Sequence, residues 1–115
     1  MQPRVRTQTL NTLRERRDEI VRLAAAHGGS NVRVFGSVAR GEDDEQSDID
    51  LLVEFDRDVD ALEYFSRIDE LGRVLTERLG RKVDVIDAGA LKQNRFRIRS
   101  EEKMRQRILA EAVPL

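Results

Sequence analysis

One stretch constrains this chain more than any other, Val32 to Val53. An apolar run, Val32-Arg33-Val34-Phe35, stops at Gly36-Ser37. Val38-Ala39-Arg40-Gly41 and the charged residues Glu42-Asp43-Asp44-Glu45 follow. A second apolar run then opens with two aspartates one residue apart, Ser47-Asp48-Ile49-Asp50-Leu51-Leu52-Val53. The pattern predicts a strand, a tight turn with a short helix, a loop and a second strand. Polar groups then collect where the first strand ends and the second begins.

The two aspartates define what such a junction could do. Residues i and i+2 of a strand share a side, so Asp48 and Asp50 lie together while Ile49, Leu51 and Val53 face the other way. Two neighbouring carboxylates repel, and desolvation pushes one of them toward its protonated form. A hard divalent cation removes the conflict. Magnesium is held by one or two carboxylates, with water and substrate phosphates completing its shell. A pair of such ions can stabilise both the attacking and the leaving oxygen at phosphorus.

Gly36-Ser37 supplies the complementary half. Glycine lets a backbone turn sharply and approach a phosphate closely. Ser37 is a suitable N-cap for a helix starting at Val38, whose free N–H groups would face an anion. Arg40 is near enough in sequence to reach an outer phosphate, and Gly41 would end the helix. Either feature alone is an ordinary turn or strand entry. Together, ten residues apart, they point to a nucleotide and metal site. The loop Glu42-Asp43-Asp44-Glu45 reads as a solvated tether, since loops hold ligands less rigidly than strands.

A chain of 115 residues is expected to form one domain, spanning residues 1–115, with a single modest core. Aromatic residues are only 4% of it, so Leu, Ile, Val and Ala must fill that core. No apolar run approaches membrane-spanning length. The start Met1-Gln2-Pro3-Arg4 lacks a signal peptide's apolar segment, so a cytoplasmic location is expected. With no cysteine there is neither a disulfide framework nor a thiolate metal site. The only histidine, His27, precedes Gly28-Gly29 and reads as a helix-end residue.

Along the chain, Thr9 to Ala26 has the spacing of one amphipathic helix, with Leu10, Leu13, Ile20 and Ala24 inward and Arg14, Arg16, Arg17 and Arg22 outward. Val32 to Phe35 and Ile49 to Phe55 are the first two strands. Asp58 or Asp60 can cap a long helix, Asp60 with Glu63 three residues on making a capping arrangement. The helix carries Leu62, Phe65, Ile68, Leu71 or Gly72, Leu75 and Leu79 and is ended by Gly80. Lys82 to Asp87 alternates as a third strand, Val83 and Val85 on one side and Asp84 and Ile86 on the other. Asp84 interrupts an apolar run and needs a reason, because an unpaired buried charge is costly. It is either an edge carboxylate paired with Lys82 or Arg81, or a further acid of the site. From Lys92 onward there are seven Lys or Arg against three acids. Ser100 looks like a helix start, and Val113-Pro114-Leu115 suits a short edge strand. The fold class is therefore α/β (α+β), a small mixed β-sheet with helices packed on it, mainly on one face.

Gly36-Ser37, ten residues, Asp48-Ile49-Asp50 resembles the signature of the polymerase-beta-type nucleotidyltransferase superfamily. Gly-Ser-Val-Ala-Arg-Gly before the loop and Ser-Asp-Ile-Asp-Leu-Leu-Val after it resemble its minimal nucleotidyltransferase (MNT) branch. The likeness continues through Gly80-Arg81-Lys82-Val83-Asp84-Val85-Ile86 and Arg107 to Leu115, so it covers most of the chain. It implies a polymerase-beta-like fold with Asp48, Asp50 and Asp84 as catalytic, Mg2+-binding carboxylates, Asp84 being the third. It also implies a nucleotide site at Gly36, Ser37, Arg40 and Ser47, with ATP as substrate. In the resembled family the partner is usually a helical HEPN-domain toxin that cleaves RNA. The MNT chain is the antitoxin, and some members transfer AMP to a tyrosine of the toxin. Two alternatives stay open: neutralisation by contact alone, or a nucleotidyltransferase subunit acting on a small hydroxylated molecule. The net charge of −1 and a basic tail whose one aromatic is Phe96 argue against direct nucleic-acid binding. The basic tail and the arginine side of the first helix are the expected partner-facing surface.

Overall fold

The alternation in the apolar runs resolves, among the described residues, into four strands and six helices. A computed structural model describes residues 8–92 and 99–115. The elements are α1 (Thr9–Glu15), α2 (Arg17–Ala26), β1 (Gly29–Phe35), α3 (Gly36–Arg40), β2 (Ile49–Phe55), α4 (Ala61–Leu79), β3 (Val83–Asp87), α5 (Ala88–Lys92), α6 (Arg99–Glu111) and β4 (Val113–Pro114). The sheet order is β3-β2-β1-β4. β1 runs antiparallel to both β2 and β4, and β2 runs parallel to β3. This is the expected mixed sheet. Val113-Pro114 is the expected edge strand, where a residue without an N–H costs least.

Strand alternation decides what lies on each face. Val34, Ile49, Leu51, Val53 and Val83 pack against Leu13, Ile20, Ala24, Leu71 and Leu75 of α1, α2 and α4. The opposite face carries a smaller cluster of Phe35, Leu52, Ala88 and Ile108 under α5 and α6. Helix packing is thus mainly on one face, as expected, with a lesser helical cover on the other. The sign of it in the sequence is Leu52, wholly buried on the face that Asp50 shares. No described helix is long and apolar enough to cross a membrane.

The chain also departs from expectation at Arg16. The predicted single helix breaks there, at φ −100° and ψ 17°, with the Arg16 N–H shared between the carbonyls of Thr12 and Leu13. No glycine or proline marks the break, so periodicity runs through it. Arg16 then pairs with Glu19, and Arg14 donates to the Pro114 carbonyl, which ties up half of the expected arginine face. His27 does end α2, its Nδ1–H donating to the Leu23 carbonyl at 2.8 Å. Asp60 caps α4 by accepting from the Glu63 N–H at 2.8 Å, and Gly80 closes it at φ +73°. The α6 helix begins at Arg99, one residue before Ser100. Residues 93–98, on which much of the expected basic partner surface falls, lie outside the described residues.

The far end of β3 is anchored by a buried acid. Asp87 accepts from Arg57 at 2.9 Å, from the Tyr64 hydroxyl, and from the Gly89 N–H at 3.0 Å. Burial, and then the hydrogen bond to Asp87 and its charge, push the Tyr64 hydroxyl up to about 12. A raised folded-state value means that this stabilisation is complete below pH 10 and lost as pH rises toward 12. Phenolate absorbance should therefore show Tyr64 titrating near pH 12. Tyr64→Phe should lower stability by about 1–2 kcal/mol in urea unfolding.

Candidate active site

Parallel pairing of β2 with β3 sets the site. The register places Asp50 beside Asp84, Ile49 beside Val83 and Leu51 beside Val85. Neighbouring strands are about 4.8 Å apart, so the two carboxylates leave the sheet side by side on one face. On its other side Asp50 pairs with Phe35, the last residue of β1. Asp48 enters β2 just before them. The structure thus brings Asp48, Asp50 and Asp84 to one end of one face. The polar ends of three strands meet there, and the apolar cluster of Leu52 and Ile108 begins further along.

Gly36 makes that crowding possible. Its φ of +74° is a left-handed conformation, and a Cβ on it would lie 2.4 Å from Asp50 Oδ2. The left-handed backbone favours glycine, and any side chain there would make the Asp50 carboxylate shift. The following turn differs from expectation. The α3 helix begins at Gly36, with Phe35 in the cap position and no side-chain cap bond, so Ser37 is not an N-cap. A serine hydroxyl caps only from the residue before the first turn, and Ser37 lies inside it. Gly41 does end α3, at φ +70°.

Charge around the carboxylates is unevenly balanced. Asp50 is held above the usual carboxylate range by burial first, then by the charges of Asp84 and Asp48, with Arg40 acting in the opposite sense. The Lys82 ammonium stands 3.9 Å from both Asp48 and Asp84. Arg40 is engaged by Glu42 at 2.7 Å and by Glu111 of α6 at 2.9 Å, so a phosphate would have to compete with two acids for it. Ser47 is engaged too. Its hydroxyl accepts from the Asp44 N–H and donates to the Asp44 carboxylate, closing the loop on itself.

Sequence reasoning missed the group that fixes this loop. Asp43 is 5% exposed, not a solvated tether. It accepts from Thr9 at 2.6 Å and pairs with Arg81 at 3.3 Å. Arg81 also donates to the carbonyls of Asp44 and Ser47, at 3.0 and 2.7 Å. One guanidinium therefore joins α1, the loop and the start of β3, and sets where Ser47 hands the chain to Asp48. Arg81 sits two residues before the apolar run of β3, and in sequence it is one cation among 21.

The donor set suits magnesium. Among the described residues no three such side chains converge as a finished metal shell. Magnesium needs only one or two carboxylates, with water and phosphate supplying the rest. Asp50, burdened by two like charges, and Asp48 beside it meet that requirement, with Asp84 abreast. Because the folded-state value of Asp50 is raised, its repulsive cost is present above that value and relieved as pH falls through it.

Two outcomes follow for the metal-free protein. Asp50→Asn should raise the melting temperature at neutral pH, by at most about 1 kcal/mol in stability after solvent screening, and flatten the acid limb of the pH–stability curve. Arg81→Met should cost about 3 kcal/mol, because it removes the cation that balances the buried Asp43. Adding Asp43→Asn should recover part of that loss in a double-mutant cycle by urea unfolding.

Comparison with known proteins gives a consistent result. Residues 11–115 match the family described as nucleotidyltransferase domain. A candidate protein adenylyltransferase of Methanocaldococcus jannaschii is 34% identical over 101 residues, covering 88% of this chain and 95% of its own. The protein adenylyltransferase MntA of Thermococcus cleftensis is 35% identical over 83 residues, 65% of this chain and 80% of its own. Among solved structures, a candidate minimal nucleotidyltransferase superposes with a TM-score of 0.66 at 40% identity, over 92% of this chain and 95% of its own. A toxin–antitoxin crystallised with AMP-PNP superposes at 0.61 and 20% identity, over 84% of this chain and 69% of its own, a likeness of fold alone.

Proposed function

This chain belongs to the nucleotidyltransferase domain family and is a nucleotidyltransferase, and from that premise we propose that it transfers AMP from ATP to a hydroxyl of a partner protein. The favoured acceptor is a tyrosine of a HEPN-type RNase toxin, which the transfer neutralises, so that the chain acts as an antitoxin in the cytoplasm. The relatives named protein adenylyltransferases support the reaction type. The fold shared with a toxin–antitoxin holding AMP-PNP supports the setting. The observation that carries the reading is the register of Asp50 against Asp84, with Asp48 adjoining and Gly36 hard against Asp50.

The residues divide the work. The ATP phosphates rest against Gly36 and Ser37, where the first backbone N–H groups of a helical turn have no partner within it. Arg40 exchanges Glu42 or Glu111 for an outer phosphate. Asp48 and Asp50 would hold magnesium, with Asp84 contributing on the acceptor side. A bound ion would supply positive charge against the negative charge developing on the phosphate oxygens. Asp84 accepts the proton of the acceptor hydroxyl, whose oxygen bonds to the α-phosphorus. The bond from that phosphorus to the bridging oxygen breaks, and pyrophosphate leaves. Orientation and fixed charge do most of this, because the transferred group needs no covalent help from the protein. Ser47 acts through the loop, since its hydroxyl is already committed to Asp44.

Labelled ATP, magnesium and candidate HEPN-type partner proteins provide the assay. Asp48→Asn with Asp50→Asn, and separately Asp84→Asn, should reduce labelling on the order of 100- to 1000-fold while the domain stays folded. Chelation of the metal should do the same. Gly36→Ala should abolish labelling and lower stability by about 1–2 kcal/mol, from its left-handed backbone and the contact with Asp50. Equal labelling by wild type and the aspartate variants would sink the assignment.

A further inference from the structure

Among the described residues the outer edge of β3 is open, with no strand paired to it, and it begins at the candidate site. The Ile49 N–H donates to the Lys82 carbonyl, so by the alternation of a parallel ladder the backbone groups of Lys82, Asp84 and Ile86 face β2. Those of Val83, Val85 and Asp87 face outward. The Val83 N–H bears this out, since it is taken by the Thr76 hydroxyl of α4 at 3.0 Å. Val85 then presents an N–H and a carbonyl to the outside.

A groove of about 680 Å³ runs along this edge, between β3 and α4. Phe65, Ile68 and Gly72 form its helical wall, and Val83, Asp84 and Val85 its strand side. Phe65 is 64% exposed and Leu62, one turn before it, 80% exposed, although both lie on the apolar stripe of a well-formed helix. Gly72 keeps the wall thin where α4 crosses the strand. A Cβ there would come within 3.4 Å of the Val83 carbonyl.

We infer that this groove docks an extended segment of the acceptor polypeptide, added as a strand along β3 so that its hydroxyl side chain reaches Asp84. The inference rests on the proposed transfer reaction for its direction. Across the sheet the order is Asp84 on β3, Asp50 on β2, then Gly36 at the end of β1. In-line displacement puts the attacking and leaving oxygens on opposite sides of phosphorus. Phosphates resting on Gly36 and Ser37 leave the β3 side for the acceptor. A polypeptide fits this side better than a small alcohol does. Outward backbone groups pair with another backbone, and an apolar shelf takes alternate side chains. One residue, about 3.3 Å, separates Val85 from Asp84, so a strand held at Val85 delivers the neighbouring side chain to the carboxylate.

The probe is a heptapeptide with one central tyrosine between β-branched residues, and its analogue N-methylated at alternate backbone nitrogens. Amide shifts of the 15N-labelled protein should move at Val83–Val85 and along α4 from Phe65 to Gly72. Phe65→Asp, Val85→Pro and N-methylation should each weaken binding about tenfold, the loss of one well-made backbone bond or its apolar support. Val85→Pro is an edge substitution, and if it fails to fold, Phe65→Asp and the methylated peptide still decide. Absent shifts, shifts elsewhere, or equal binding of the methylated peptide overturn the groove. Labelling of the tyrosine from Mg–ATP is read separately. A peptide labelled without shifts at β3 removes the groove and leaves the transfer reaction. A peptide bound at β3 but never labelled does the reverse.

Discussion

Three carboxylates at one end of one sheet face are the constraint on which the rest of this structure depends. Like charges this close repel, and the half-buried Asp50 carries the strain in its raised affinity for a proton. Side-chain chemistry alone would scatter them. What holds them is backbone, a parallel ladder whose register puts Asp50 against Asp84. The other face of the same strands drives that ladder together. Ile49, Leu51, Val53 and Val83 are buried under α2 and α4, and a slip of one residue would turn all of them to the opposite face. The core therefore fixes the register, and the register fixes the charges.

The loop between the two halves of the site is held by a different kind of interaction. Asp43 and Arg81 form a mostly buried pair, and the terminal guanidinium nitrogens also donate to two loop carbonyls and Thr9, while Nε is buried without a hydrogen-bond partner among the described residues. Such a pair adds little net stability over apolar packing, but it specifies geometry strongly, because either partner alone is costly to bury. It joins the loop before Asp48 to the strand that carries Asp84. Gly36 completes the arrangement from the third direction, approaching Asp50 more closely than any side chain would allow.

Much of this was legible in the sequence, for reasons that can be named. The two strands, the Asp-X-Asp face, the Asp60 cap and the stops at Gly41 and Gly80 all follow from local rules of alternation, capping and left-handed backbone. Asp84 was legible as an anomaly, a charge in an apolar run. The break at Arg16 was not, because it leaves the apolar spacing intact and uses no special residue. Asp43 was misread because acidic loops are usually wet, and its partners Thr9 and Arg81 lie 34 and 38 residues away in the chain. Ser37 was misread as a helix cap in a related way. A serine's partner is decided by loop geometry at the scale of one residue, which no pattern of spacing resolves.

The countercharges around the site differ in how firmly they are held, and that difference has a consequence for ligand exchange. Lys82 reaches Asp48 and Asp84 only at 3.9 Å, from a side chain 68% exposed. An ammonium on a flexible stem at that range contributes little and gives way easily. Arg40 is gripped by two acids from separate elements, Glu42 and Glu111, and links α3 to α6. Its planar fork makes bonds that must be broken before a phosphate can use it. A cation at the carboxylates would therefore displace one loosely held ammonium, whereas an anion at Arg40 would have to displace two acids. The first exchange would also offset the like charges that add to burial in raising the proton affinity of Asp50.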